Sequence, residues 1–184
     1  TSASPALDRT SSPVTSLRKL IWSVSVATAV TLGPLGGFPG QRASDNGLVS
    51  SSPTPAGAGV RLARTSDVDD IAAAQVASWQ ERFAGILPGS VLEALRPSDL
   101  APVWAQAILD PPTNGHRVLV AVEDDRAVGY ATVGPAADPD ATASVAELSG
   151  LDVAPAVQRR GHGSRLLAAV ADHARTLGAD EIVV

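Results

Sequence analysis

The chain has 184 residues, room for one domain of ordinary size, and a formal net charge of −5 that argues against broad nucleic-acid binding. It has no cysteine, which excludes disulfides, thiolate metal sites and a covalent acyl-cysteine intermediate. Its three histidines, His116, His162 and His173, are scattered, so a dedicated metal site is not expected.

Residues 1–58 are rich in Ser, Thr, Pro and Gly and hold four basic and two acidic side chains, leaving the remainder more acidic still. Such composition is expected of a poorly ordered extension. Within it the apolar stretch Leu20 to Leu32 follows Arg18 and Lys19, the layout of a signal-peptide core or membrane anchor. Gly33, Pro34, Gly36 and Gly37 interrupt it before the roughly 20 apolar residues of a spanning helix accumulate. No small-x-small cleavage site follows directly, and Ala56-Gly-Ala58 lies too far downstream. A cytoplasmic protein is expected, with export or membrane association through residues 20–32 as the less favoured alternative. The chain begins with Thr1 and contains no methionine, which points to a missing or processed start.

A globular domain is expected over residues 59–184. Val60 to Arg64 alternates as a strand. Ser66 can cap a helix whose first turn carries Asp67, Asp69 and Asp70 and whose stripe is Val68, Ile71, Ala72, Val76, Trp79 and Phe83. Leu87-Pro88-Gly89 breaks it, and Ser90 to Leu95 reads as a short helix. Ser98 or Asp99 caps the next, with Leu100, Val103, Trp104, Ala107 and Ile108 inward; Pro111-Pro112 and Asn114-Gly115 end it. Arg117 to Glu123 and Ala127 to Val133 are β-rich runs joined at Asp124-Asp125-Arg126. After a loop from Ala136 to Ala141, Val145 to Val153 forms a strand. Ser164 to Leu177 forms an amphipathic helix with Gly178 as its C-cap, and Glu181 to Val184 begins a last strand.

Between the last long strand and that helix stands Gln158-Arg159-Arg160-Gly161-His162-Gly163-Ser164. Glycines let backbone N–H groups converge and a ligand approach closely, and the helix start adds unpaired N–H groups with partial positive charge. With two arginines beside them, these make a pyrophosphate seat. A Walker-type loop is excluded, because Ser164-Arg165 replaces Lys-Ser/Thr and the only lysine is Lys19. A dinucleotide fingerprint is excluded, because Leu166 stands where its third glycine belongs.

The spacing that fits is Gln/Arg-x-x-Gly-x-Gly/Ala, met by Gln158, Gly161 and Gly163 after Leu151-Asp-Val-Ala-Pro155. Here the chain resembles the GCN5-related N-acetyltransferase (GNAT) superfamily from about Val60 onward. The resemblance implies an α/β fold of the α+β kind, with a mixed, mostly antiparallel central sheet flanked by helices. Relatives continue into a further helix and two strands, across which many of them pair as homodimers. That tail is missing here, which implies an incomplete domain, an open edge at the last strand and a truncated chain of uncertain activity. The resemblance also implies acetyl-CoA as co-substrate, with no metal, and direct acetyl transfer to a primary amine of a small molecule or peptide. A non-catalytic acyl-CoA-binding domain is the alternative. The acidic balance gives a faint lean towards a cationic amine.

In the family the strand before the loop pairs with the pantetheine arm, which maps to Leu151, Asp152 and Val153. The loop from Gln158, Arg159 and Arg160 through Gly161, His162, Gly163 and Ser164 maps to the pyrophosphate. Glu147, near where the family often places an acidic residue, is the candidate base, against a solvated strand-end glutamate. Asp152 is a weaker candidate and otherwise solvent-facing. Tyr130, the only tyrosine, reads as packing rather than acid. Trp79 and Phe83, followed by Gly85-Ile-Leu-Pro88, resemble the family's acceptor-side pattern, against a plain core anchor. Trp104 reads as core and His162 as a solvated loop side chain. His173 reads as structural, and His116 carries no signal.

Overall fold

A computed structural model describes residues 29–31 and 57–184. The strands are β1 (Ala29–Thr31), β2 (Gly59–Leu62), β3 (Arg117–Glu123), β4 (Arg126–Pro135), β5 (Val145–Val153) and β6 (Glu181–Val183). The helices are α1 (Val68–Arg82), α2 (Gly89–Ala94), α3 (Pro97–Leu109) and α4 (His162–Thr176). The sheet runs β1-β6-β5-β4-β3-β2. Every neighbouring pair is antiparallel except β5 with β6. A parallel neighbour needs a crossover, which α4 supplies. This is the mixed, mostly antiparallel architecture expected from the sequence.

The β-branched and apolar runs of β3 and β4 are joined by Asp124-Asp125, both in left-handed backbone with φ of 50° and 65°. Two left-handed residues match the twist of the flanking strands, and aspartate tolerates that conformation better than most side chains. Core builds on both faces of the sheet. On one, Ile71 and Val76 of α1 and Val103 and Trp104 of α3 meet Val120 and Tyr130. On the other, Leu166, Val170 and Ala174 of α4 meet Val133, Leu148 and Ile182. Trp104 is fully buried, donates its indole N–H to Gln75 Oε1 at 2.9 Å, and meets the Tyr130 ring edge-on at 4.5 Å. Burial of so large a ring with its polar atom satisfied fixes α1 and α3 against the sheet.

Three local expectations are corrected. The helix expected to start at a Ser66 cap begins at Val68, behind a 3-10 turn over Thr65–Asp67. There Asp67, not Ser66, takes the free backbone N–H, that of Arg64, at 2.7 Å. The third helix starts at Pro97, ahead of Ser98 and Asp99, since proline suits a first turn whose N–H groups lack partners. The edge of the last strand, expected open, pairs with Ala29–Thr31 in antiparallel register. Gly178, with φ of 77°, ends α4 as expected. Apart from those three residues, the apolar stretch 20–32 lies outside the described residues. Among the described residues no helix is long and apolar enough to cross a membrane.

Asp67 also binds Arg61 through two parallel bonds of 2.7 and 2.8 Å. That guanidinium, helped by the Arg64 amide, holds the Asp67 carboxyl below its usual range. A depressed carboxyl adds stability that is complete above its unfolded value and is lost as pH falls through the lower folded one. Asp67→Asn is expected to melt earlier than wild type at neutral pH. The two melting curves should converge below about pH 4, and a constant gap down to acid pH would contradict the assignment.

Candidate functional site

The site starts from a parting of strands. β5 pairs with β6 only over Val145, Ala146 and Glu147, while it follows β4 from Ala146 to Val153. Beyond Glu147 the outer edge of β5 therefore has no strand partner among the described residues. At the parting β5 also bulges: Leu148 faces Val133 and Gly150 faces Thr132, leaving Ser149 as the extra residue. A bare edge offers unpaired N–H and C=O groups to any extended ligand.

Two clefts meet on that edge. The first, about 280 Å³, has walls of Trp79, Phe83, Trp104 and Tyr130 and a floor from Leu148 to Asp152. The second, about 270 Å³, runs from Ser78 over Val153 to Gln158, Arg159 and Gly163. Arg82, Leu151 and Asp152 line both. One groove thus joins an aromatic chamber to the glycine loop.

The loop has the backbone its sequence demands. Arg159 and Gly161 are left-handed, with φ of 63° and 83°, and Gly161 is the N-cap of α4, which begins at His162 rather than at Ser164. Left-handed turns at the head of a helix aim successive amides at one point, the arrangement that receives anions. Strain of this kind in a non-glycine residue such as Arg159 gathers at functional loops. Gln158 turns back to donate to the Val153 carbonyl at 3.2 Å, tying loop to strand. Ser164 is exposed on the first turn of α4.

Two loop side chains do not go where the sequence placed them. Arg160 points to Glu123 at 3.0 Å, outside the lining of the groove. His162, expected solvated, is 1% exposed. Its ring lies between Glu123 Oε2, 2.9 Å from Nε2, and Arg165 Nη2, 3.1 Å from Nδ1. Arginine only donates, so Nδ1 is the acceptor and Nε2 carries the hydrogen that goes to Glu123. The His162 bond first, then Arg160, holds the Glu123 carboxyl below its ordinary range. Glu123 ends β3, so the loop is braced against the β3–β4 hairpin.

Asp152 is also corrected. It is 4% exposed rather than solvent-facing. It accepts from Ser78 Oγ and Tyr130 Oη, each at 2.8 Å, and from Arg82 Nη2. The close strand approach here depends on Gly129, opposite Val153, where any Cβ would stand 2.7 Å from the Asp152 carbonyl oxygen. Tyr130 packs as expected, and burial pushes its phenol up. Trp79 and Phe83 are half-buried on the chamber wall, their rings edge to face at 6.2 Å, so they front the groove rather than only the core.

Glu147 is not a solvated strand end; it is 7% exposed. The Ala137 amide donates to its Oε2 at 3.1 Å. Its carboxylate lines a separate hollow under the loop 136–141. Ser149, on the chamber floor, donates to its Oε1 at 3.4 Å and is the link between the two spaces. Burial lowers the pKa of His116, opposed by the nearby Glu147 charge. His173 binds the Gly115 carbonyl at 2.8 Å, a structural role as expected. Sequence reasoning missed Gln75, Ser78, Arg82, Glu123 and Ser149. Gln75, Ser78 and Arg82 share helical spacing on the inward face of α1, a polar stripe that could have marked them.

No curated protein matches the chain significantly. Solved structures do. The PaiA N-acetyltransferase of Thermoplasma acidophilum, in complex with coenzyme A, superposes with a TM-score of 0.55 at 20% identity, over 66% of this chain and 74% of that one. A GNAT family acetyltransferase of Staphylococcus aureus superposes with a TM-score of 0.50 at 15% identity, over 69% and 84%. At such identities these show a shared fold. The sequence pattern of the acetyltransferase (GNAT) family matches residues 76–184, from the middle of α1 through β5, the glycine loop and β6. With more than half of the chain matched and the groove in place, the chain belongs to the GNAT family of acyltransferases.

Proposed function

We propose that this chain transfers an acetyl group directly from acetyl-CoA to a primary amine of a small molecule or peptide. The observation that carries the reading is the single groove, with an anion-binding loop at one end, a bare strand edge along its middle and an aromatic chamber at the other. A pyrophosphate, an extended amide-bearing arm and an acceptor fit those three parts in that order. The amides around Gly161 and Gly163, with the Gln158 and Arg159 side chains beside them, would hold the pyrophosphate, and the edge of Leu151, Asp152 and Val153 the arm. Trp79 and Phe83 would flank the acceptor. The thioester supplies the activated acetyl group; its C–S bond breaks as the C–N bond forms, and coenzyme A leaves as the thiolate, which takes its proton from water. The chain holds the two reactants in line, which can account for most of the rate.

A neutral amine must attack, so a proton has to leave the chamber. Ser149 and Glu147 form the path, with Glu147 as the base acting through that hydroxyl or a water. The edge N–H groups around the Ser149 bulge face the place where charge develops on the thioester oxygen and stabilise it.

Gly161→Asp is expected to abolish acetyl-CoA binding, read by calorimetry. It places a Cβ in left-handed backbone, 3.1 Å from Arg165 Nη1, and a carboxylate where the pyrophosphate sits. Unchanged affinity in a folded variant would refute the site. Glu147→Gln is expected to lower kcat by about 10²-fold or more, while acetyl-CoA still binds. A retained kcat would remove Glu147 as the base.

A further inference from the structure

The chamber, taken as the acceptor end of the transferase site proposed above, has an unequal charge lining. Among the described residues two ionic side chains line it, Arg82 and Asp152. Asp152 is enclosed and already accepts three hydrogen bonds, from Ser78, Tyr130 and Arg82. Three of its roughly four acceptor positions are taken and its charge is matched by Arg82, so it serves the wall of the groove. Arg82 is the opposite case. Its side chain is 51% exposed at the junction of the two clefts. Only Nη2 is engaged, by Asp152 and by Ser78 Oγ at 3.2 Å. Nε and Nη1 have no hydrogen-bond partner among the described residues. Its Cζ lies 5.9 Å from the centre of the Phe83 ring, which adds a cation–π contact.

One nitrogen of this guanidinium is therefore pinned by a buried carboxylate, and Nε–H and the Nη1 hydrogens remain to donate singly, since both two-donor faces run through Nη2. A ligand carboxylate takes one charge-assisted N–H bond there, and pinning removes in advance much of the rotamer freedom that binding would cost. The surrounding walls are aromatic and suit an apolar body.

The geometry points to an acceptor amine that also carries a carboxylate: an amino acid or similar amino-carboxylate with an apolar or aromatic body, its carboxylate on Arg82 and its body against Trp79 and Phe83. The chain's acidic balance, which leans towards a cationic acceptor, does not extend to this chamber. Arg82 is then the specificity-determining residue of the site.

The test is acetyl transfer by the full chain to matched pairs, such as L-phenylalanine against phenethylamine and L-leucine against isoamylamine. Acetyl-CoA affinity is read in parallel by calorimetry. Charge-assisted bonds of this kind predict a kcat/KM preference of about tenfold or more for the carboxylate member. In Arg82→Gln the preference should fall towards unity. Arg82→Lys keeps a cation opposite Asp152 but loses the planar group's remaining donors, so it should fold and keep only part of the preference, which separates recognition from a folding defect. Equal or better use of the plain amines, or no transfer to either member while acetyl-CoA binds, overturns the inference. So does an Arg82→Gln that weakens acetyl-CoA binding but keeps the preference, since Arg82 would then serve the pyrophosphate. A wild-type chain that does not bind acetyl-CoA overturns the transferase reading itself, and the acceptor assignment with it.

Discussion

The structure depends on β5, which among the described residues is paired along nearly its whole length by β4. β4 holds it from Ala146 to Val153, while β6 follows it for Val145, Ala146 and Glu147. A strand in the middle of a sheet has every backbone group satisfied. Among the described residues, the outer side of β5 has three residues of parallel pairing, and the bulge at Ser149 follows them. The helices take positions around this edge. α1 covers one face with Trp79, Arg82 and Phe83 at the groove, and α4 begins where β5 ends, so that its amides close the far end.

A buried carboxylate organises the ground between these parts. Asp152 reaches α1 through Ser78 and Arg82 and β4 through Tyr130. A carboxylate taken out of water is tolerated only when such donors surround it. Each donor belongs to the groove wall, so satisfying the charge and shaping the groove are one requirement. The glycine loop has its own brace in Glu123 and His162, which joins it to the hairpin across the sheet. The middle of the groove and its loop end are thus each held by a carboxyl group whose partners come from distant parts of the chain.

The order of elements was legible because it rests on local signals: the apolar stripe of α1, the two aspartates of the hairpin turn, and Gly161 and Gly163 before an amphipathic helix. What stayed hidden depends on pairing between distant residues. Asp152 alternates along β5 in a way that suits either solvent or interior, and only Tyr130 on the facing strand and Ser78 on α1 decide it. His162 lies between glycines, which reads as exposed loop, yet α4 starts two residues early and carries its ring inward onto Glu123, 39 positions away. The link from Glu147 to the chamber runs through the Ser149 bulge, which no periodic pattern in one strand reveals.

Tyr130 is the one tyrosine in 184 residues, and it is 3% exposed with its hydroxyl on Asp152. Burial keeps it a phenol well into alkaline solution, so the ultraviolet band of tyrosinate stays silent while the chamber wall is intact. The molecule thus carries its own optical gauge in the wall of the aromatic chamber. Absorbance that rises at high pH measures loosening of α1 from the sheet at this spot, without any label and with no second tyrosine to confuse it.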